Sequence, residues 1–292
     1  VSGEGMLAYD HLFRPAEGPG SPLDGPSLGL FFELSLGLSA WKEYGPSRWA
    51  LRNNPSSGNL HPTEGYLVLS TDINAELVAG VYHYLPHEHA LERRCRFAGE
   101  VLARVVAAVA PGGGTLVGLS SVHWREAWKY GERAFRYCQL DAGHAIASLR
   151  LAARVLGWRL RVHPDGLMVL APTGRAAANI DLGEELAAVV GWAEWYGRAN
   201  LLSPAHVPWR AMQGVAEAAA KPKGRSAAGW HMQPTPTAAA FVDAEARLHE
   251  QRDAREEDPK RRAAGGVKEP ERGRERASPR PAPSPGSPAR SS

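Results

Sequence analysis

Arg52-Asn53-Asn54-Pro55-Ser56-Ser57-Gly58-Asn59-Leu60-His61-Pro62-Thr63-Glu64 is the stretch on which the reading of the whole chain turns. Pro55 disfavours the helical region for Asn54, so the chain arrives extended. Ser56, Ser57 and Gly58 leave the backbone open to an approaching ligand, and Gly58 can adopt a positive φ. Asn59 is placed to cap a short helical turn from Leu60. The apolar run over 66–70 then reads as a buried strand. Free N–H groups, two hydroxyls and an amide in one loop suit a phosphate, a ribityl chain or the edge of a heteroaromatic ring. In isolation, Pro-Ser-Ser-Gly reads more readily as a capped surface turn.

Upstream, residues 1–27 are rich in Gly and Pro and read as an extended arm without a core. Ser27 is a candidate cap for a helix running to about Tyr44, with Phe31, Leu34, Leu38 and Trp41 at three- and four-residue steps. Gly45-Pro46 would stop it. Downstream, 81–84 and 90–92 read as a hairpin whose exposed turn carries His83, His87 and His89. No cluster of ligand spacing completes these histidines, so no metal site is expected. A helix over 97–110 and a strand over 115–121 follow. The longest helix is expected from Glu132 to about Gly157. Along it Cys138, Ala142, Ala145, Leu149, Ala152 and Leu156 form a continuous seam of mostly small residues, suited to close packing by another helix, including one from a partner subunit. Strands over 158–163 and 167–171 and a short helix over 184–196 end the ordered pattern.

Lys129-Tyr130-Gly131 is the second dense site. Lys and Tyr titrate far above neutrality, so acid–base work near pH 7 requires that burial or neighbouring charge shift them. An adjacent pair at the end of a helical turn can form such a unit. The plainer alternative is a snorkelling lysine beside a half-buried tyrosine.

Both stretches resemble one family. Arg52, Pro55, Ser56, Ser57, Gly58, Pro62 and Glu64 match the flavin loop of nitroreductase-like flavoproteins, most closely the SagB-type branch, the azoline dehydrogenases of thiazole/oxazole peptide biosynthesis. Lys129, Tyr130, Gly131, Arg133 and Arg136 match the segment that leads into the long core helix of those enzymes, with Phe135 where a Tyr is common. Asp141-Ala142-Gly143-His144 resembles the acid-x-Gly-His that follows. The two motifs stand in the family's order, and the resemblance covers roughly residues 28–200. It implies an α+β fold with a central, mostly antiparallel sheet flanked by helices and a long central helix at a dimer-type interface. It implies FMN as cofactor, held by Arg52, Pro55, Ser56, Ser57, Gly58 and Asn59, with hydride exchange at flavin N5 and proton transfer by Lys129 and Tyr130. It also implies a small-molecule or modified-peptide substrate, and a homodimer or pairing with a second nitroreductase-like module. The Arg-Arg-Ser-x-Arg motif that opens many such proteins has no counterpart before residue 28. A catalytically incomplete module serving as a dimerisation or scaffold domain therefore stands as the alternative. A serine hydrolase is disfavoured, because Ser57 lacks the Gly-x-Ser-x-Gly elbow.

Composition sets the outer limits. The chain has 292 residues, 43% of them hydrophobic, enough for one sizeable core. A net charge of +3 gives no case for a nucleic-acid partner. Two distant cysteines, Cys95 and Cys138, suit free buried thiols in a reducing compartment, and the cytoplasm is expected. No apolar run reaches the ~20 residues of a membrane helix. Three segments follow: the arm 1–27, a domain over 28–202, and a largely disordered tail over 203–292. From Glu250 onward Val267 is the only large aliphatic residue. The Val1 start is compatible with a fragment of a tandem protein.

Overall fold

The computed structural model of the chain describes residues 12, 20–163, 166–172, 180–197, 207 and 209–219. Most of the expected arm, and the expected tail from residue 220 on, lie outside these residues. Within the stretch read as tail, a helix forms over Arg210–Ala219.

The first helix, α1, spans Gly25–Leu36. Asp24 caps it, accepting a hydrogen bond from Ser27 N–H at 2.9 Å, so the cap lies three residues before the serine that the sequence suggested. The helix does not reach Tyr44. Gly37 turns the backbone to an extended conformation, its N–H bonded to the Phe32 carbonyl. Strands β1 (Leu38–Tyr44) and β2 (Ser47–Arg52) then form a separate two-stranded sheet around a turn at Gly45, φ +56°. The three-four spacing of Leu34, Leu38 and Trp41 is misleading, because Leu34 and Trp41 are exposed and a strand carries the last two.

The main sheet has seven strands. They are β3 (Thr63–Leu69), β4 (Gly80–Leu85), β5 (Ala90–Arg96), β6 (Thr115–Ser121), β7 (Arg159–Val162), β8 (Met168–Ala171) and β9 (Glu194–Trp195), in the order β7-β8-β6-β3-β4-β5-β9. Every pairing in it is antiparallel. β3 lies at the centre, and its side chains divide with the two-residue period of a strand. Leu67 and Leu69 enter one core with Phe31, Phe32 and Leu36 of α1 and with Leu149 and Ala152 of the long helix α4 (Ala134–Val155). Val68 enters the other core, with Leu102 and Val106 of α2 (Glu100–Val109) and Leu182 and Leu186 of α5 (Leu182–Val190). Helices thus cover both faces of the sheet, which is the α+β architecture expected. The small-residue seam of α4 faces the core shared with α1, where Ala145, Leu149, Ala152 and Leu156 are buried; Cys138 is buried as well and Ala142 is half-buried. Trp158, fully buried beyond the end of α4, donates its indole N–H to the Ser21 carbonyl at 2.6 Å and ties the segment just before α1 to the core. Both cysteines are buried and free. The histidine hairpin departs from expectation at His83, which lies within β4 and is buried.

Candidate functional site

The loop between β2 and β3 is held by bonds from four directions. Ser57 donates its backbone N–H to both Asp141 carboxylate oxygens, at 2.9 and 3.1 Å, and its hydroxyl to Oδ1 at 3.0 Å. Asp141 belongs to α4 and is 1% exposed, so the loop hangs on the central helix. Asn59 Nδ2 donates to the Ala50 carbonyl at 2.9 Å, which ties the loop to the β1–β2 hairpin. Ser56 Oγ accepts from His61 N–H at 2.9 Å. Arg125, from α3 (His123–Tyr130), donates to the His61 carbonyl at 2.9 Å.

These bonds maintain a backbone that would not form alone. Gly58, Asn59 and His61 all have positive φ, at +60°, +59° and +49°. The left-handed region is easy for glycine, tolerable for asparagine and costly for histidine. Asn59 does not cap a turn beginning at Leu60. Instead a single 3₁₀ turn runs over Ser57–Asn59, and the Asn59 side chain reaches back to Ala50. Strain of this kind persists only where the surroundings over-determine it, and that is commonest at functional sites.

A buried charge cluster lies beside the loop. Glu64 on β3 pairs with His83 Nε2 at 2.8 Å and closely with Arg125. Burial alone would raise the Glu64 carboxyl, but the His83 hydrogen bond and the Arg125 charge outweigh it and hold the group below its ordinary value. Arg52 donates to the Thr63 carbonyl at 3.2 Å. Its pKa is lowered by burial, with Arg125 pushing the same way. Burial, reinforced by Arg52, also drops His61 to about 4, which keeps that ring neutral at physiological pH. Arg125 is paired with Glu64 while Arg52 bonds a backbone carbonyl, and the Arg52 guanidinium is suited to an anionic group such as a phosphate monoester.

The second motif meets the first at Gly58. A Cβ built on Gly58 would lie 2.5 Å from Tyr130 Oη and 2.9 Å from Lys129 Nζ. The missing side chain is what lets the Lys-Tyr pair reach the loop. The entry of α3 is fixed from the same side, since Val122 N–H bonds the Pro62 carbonyl at 2.8 Å. Tyr130 is half-buried, its ring packed edge-on against Tyr137 at 4.6 Å, while Lys129 is exposed. Gly131, φ +58°, reverses the chain after the pair, and Trp209 packs where its side chain would be. Arg52, Ser56, Ser57, Gly58, Asn59, Lys129 and Tyr130 thus converge on one region, although their two segments are some seventy residues apart. Pro55 serves the backbone route and enters no hydrogen bond of the site.

Arg125, Glu126, Asp141 and His61 escaped assignment from the sequence, although Asp141 stood in the acid-x-Gly-His match. Glu126 carried a signal: it precedes Tyr130 by one helical turn and shares its buried side with Ala127.

No family model matches the chain. Over 115 residues it is 34% identical to the trifolitoxin-processing protein TfxB of Rhizobium leguminosarum bv. trifolii, covering 35% of this chain and 29% of that protein. Over 109 residues it is 29% identical to the protein named "Putative nitroreductase MJ1384" of Methanocaldococcus jannaschii, covering 35% of this chain and 52% of that one. By sequence, this chain is a relative of nitroreductase-like proteins. It spans about half or less of the length of these two relatives. Among solved structures, the E. coli microcin synthetase McbBCD complex with truncated pro-MccB17 bound aligns with 60% of this chain and 76% of its own matched chain, at 18% identity and a TM-score of 0.43.

Proposed function

We propose that the chain is an FMN-dependent oxidoreductase of the SagB-type dehydrogenase class. The observation that carries this reading is the meeting of the Ser57–Asn59 turn with Lys129 and Tyr130 across Gly58. A flavin fits the residues present. Arg52 offers positive charge for the phosphate. Gly58 lets Tyr130 Oη and Lys129 Nζ stand close against the loop, in which Ser56 and Asn59 carry polar side chains. When bound, FMN supplies hydride exchange at N5, which no side chain of the protein can provide. The protein's own part is positioning and proton movement. Tyr130 Oη and Lys129 Nζ lie together at the loop, where one can take or give a proton as hydride leaves or reaches the substrate carbon.

A modified peptide is the preferred substrate class, supported by likeness to a protein named for processing trifolitoxin. Quinones and nitroaromatics are compatible with the same chemistry. The exposed apolar residues of α4, Leu140, Leu151 and Val155, support pairing with a second copy or a second nitroreductase-like module. No helix among the described residues is long and apolar enough to cross a membrane.

The test is flavin stoichiometry in the purified protein and in apo-protein titrated with FMN. Binding near one FMN per chain is expected, with loss in the double variant Arg52→Ala, Gly58→Val while circular dichroism stays unchanged. Absence of any FMN binding by the folded wild-type protein would refute the reading.

A further inference from the structure

Glu126 has no part in the chemistry proposed above, yet it is the most unusual side chain near the site. It is 0% exposed, and among the described residues neither carboxyl oxygen meets an N–H or O–H donor. Its polar neighbour is another acid, Asp141 of α4, and the remaining titratable groups facing it are Lys129 on its own helix and Cys138 on α4. Two carboxyls in contact can share a hydrogen bond only if one carries the proton. Asp141 already accepts three hydrogen bonds from Ser57, so both of its oxygens are engaged as acceptors. The proton therefore belongs on Glu126.

We propose that Glu126 is a positioning residue held as a neutral acid, which donates to Asp141 and thereby fixes the carboxylate that suspends the Ser57 loop. A relay results: Glu126 O–H to Asp141, Asp141 to Ser57 N–H and O–H, and Ser57 to the turn that faces Lys129 and Tyr130. Loss of the proton to solvent leaves two negative charges in contact in a dry site. The repulsion draws Asp141 off Ser57 and releases the strained turn. Burial, followed by the Asp141 charge, pushes Glu126 up to about 7, with Lys129 opposing, so the relay opens within the physiological range.

The relay itself does not need a flavin, and only its effect on FMN rests on the function proposed above. The test follows the Ser57 backbone amide by ¹H–¹⁵N NMR across pH in the flavin-free protein. A single transition with a midpoint near neutrality is expected in wild type and none in Glu126→Gln, which keeps a donor toward Asp141 but cannot ionise. A flat wild-type profile, or an unchanged transition in Glu126→Gln, would overturn the proposal. Should Glu126→Gln not fold, ¹³C-carboxyl labelling of glutamate in wild type decides: a buried glutamate still protonated above about pH 6 supports the proposal, and its absence overturns it. In a second arm, FMN dissociation constants are measured on both sides of the transition. Weakening of tenfold or more above it, absent in Glu126→Gln, is expected. Lack of FMN binding at every pH would refute the flavin assignment and leave the Ser57 titration to decide the relay.

Discussion

Replacing Gly58 with Ala adds one methyl group at the point where the two motifs meet, and the structure sets the size of the effect. Gly58 has φ +60°, a conformation that costs an L-residue about 1–2 kcal/mol. Stability should fall by about that much, an appreciable part of a domain's reserve of about 5–15 kcal/mol but too little to unfold it. The consequence for chemistry is larger. The new Cβ would stand 2.5 Å from Tyr130 Oη and 2.9 Å from Lys129 Nζ. An unstrained non-bonded contact is roughly 3.5 Å, so the Tyr130 hydroxyl must retreat by about 1 Å. Lys129 yields easily because it is exposed and flexible. Tyr130 yields less easily, with its ring packed on Tyr137. A displacement of about 1 Å at reacting groups can cost about 10²-fold in rate. Urea unfolding followed by circular dichroism measures the first quantity, and turnover on a substrate that requires C–H deprotonation measures the second. Near wild-type turnover in a folded Gly58→Ala variant would refute the claim that this contact positions the pair. A rate loss that merely tracks the unfolded fraction would do the same.

Lys129→Met and Tyr130→Phe should each lower kcat by about 10²–10⁴-fold with flavin content unchanged, because each removes a proton-transfer group and keeps most of the packing; absorbance of the bound flavin and steady-state rates check this together. Glu64→Gln should destabilise the fold by about 3 kcal/mol, since it breaks a buried pair and leaves Arg125 and His83 with a neutral partner, and the urea midpoint would report it. Because Glu126 is raised from an ordinary 4.5 to about 7, its full contribution to stability is present below about pH 4.5 and is lost as pH rises through 7, at most about 3 kcal/mol. Glu126→Gln should flatten that part of the stability profile, as seen in urea midpoints at about pH 5 and about pH 8. Deletion of residues 250–292, poor in large apolar side chains, should leave the melting temperature of the remainder nearly unchanged.

The sheet was legible where period and punctuation agree. The strand over 115–121 was read residue for residue, and the long helix was misjudged only at its ends, because a 3₁₀ turn over Gly131–Arg133 precedes it. The region 27–52 was misread because a helical spacing of apolar residues ran across Gly37, and spacing cannot report whether a stripe is buried. Trp41 is exposed on a strand, where its ring stacks with Arg48 instead of the core. In the site, dense polar or basic motifs drew notice, and these held Arg52, Pro55, Ser56, Ser57, Gly58, Asn59, Lys129 and Tyr130. Arg125 and Glu126 did not, and His83 was read only as part of an exposed turn, because their significance lies in partners distant along the chain: Glu64 is 61 residues from Arg125 and 19 from His83. Charged residues on a short helix or a strand look solvated until the fold shows what buries them.

The attachment of Ser57 to Asp141 spans 84 residues, and the bond of Trp158 to Ser21 spans 137. Such contacts carry the largest loop-closure entropy and form only after the sheet between them exists. The order of assembly follows. The β1–β2 hairpin and the β3–β4–β5 meander can pair as soon as they are synthesised, while the strained turn at Gly58 has only its local bonds, Asn59 to Ala50 and His61 to Ser56, until α3 and α4 have emerged and docked. During synthesis this segment therefore lacks its Arg125 and Asp141 anchors for the time taken to add those 84 residues, and it acquires its final shape in one of the last steps. A cofactor that recognises the finished turn can load only onto a nearly complete domain.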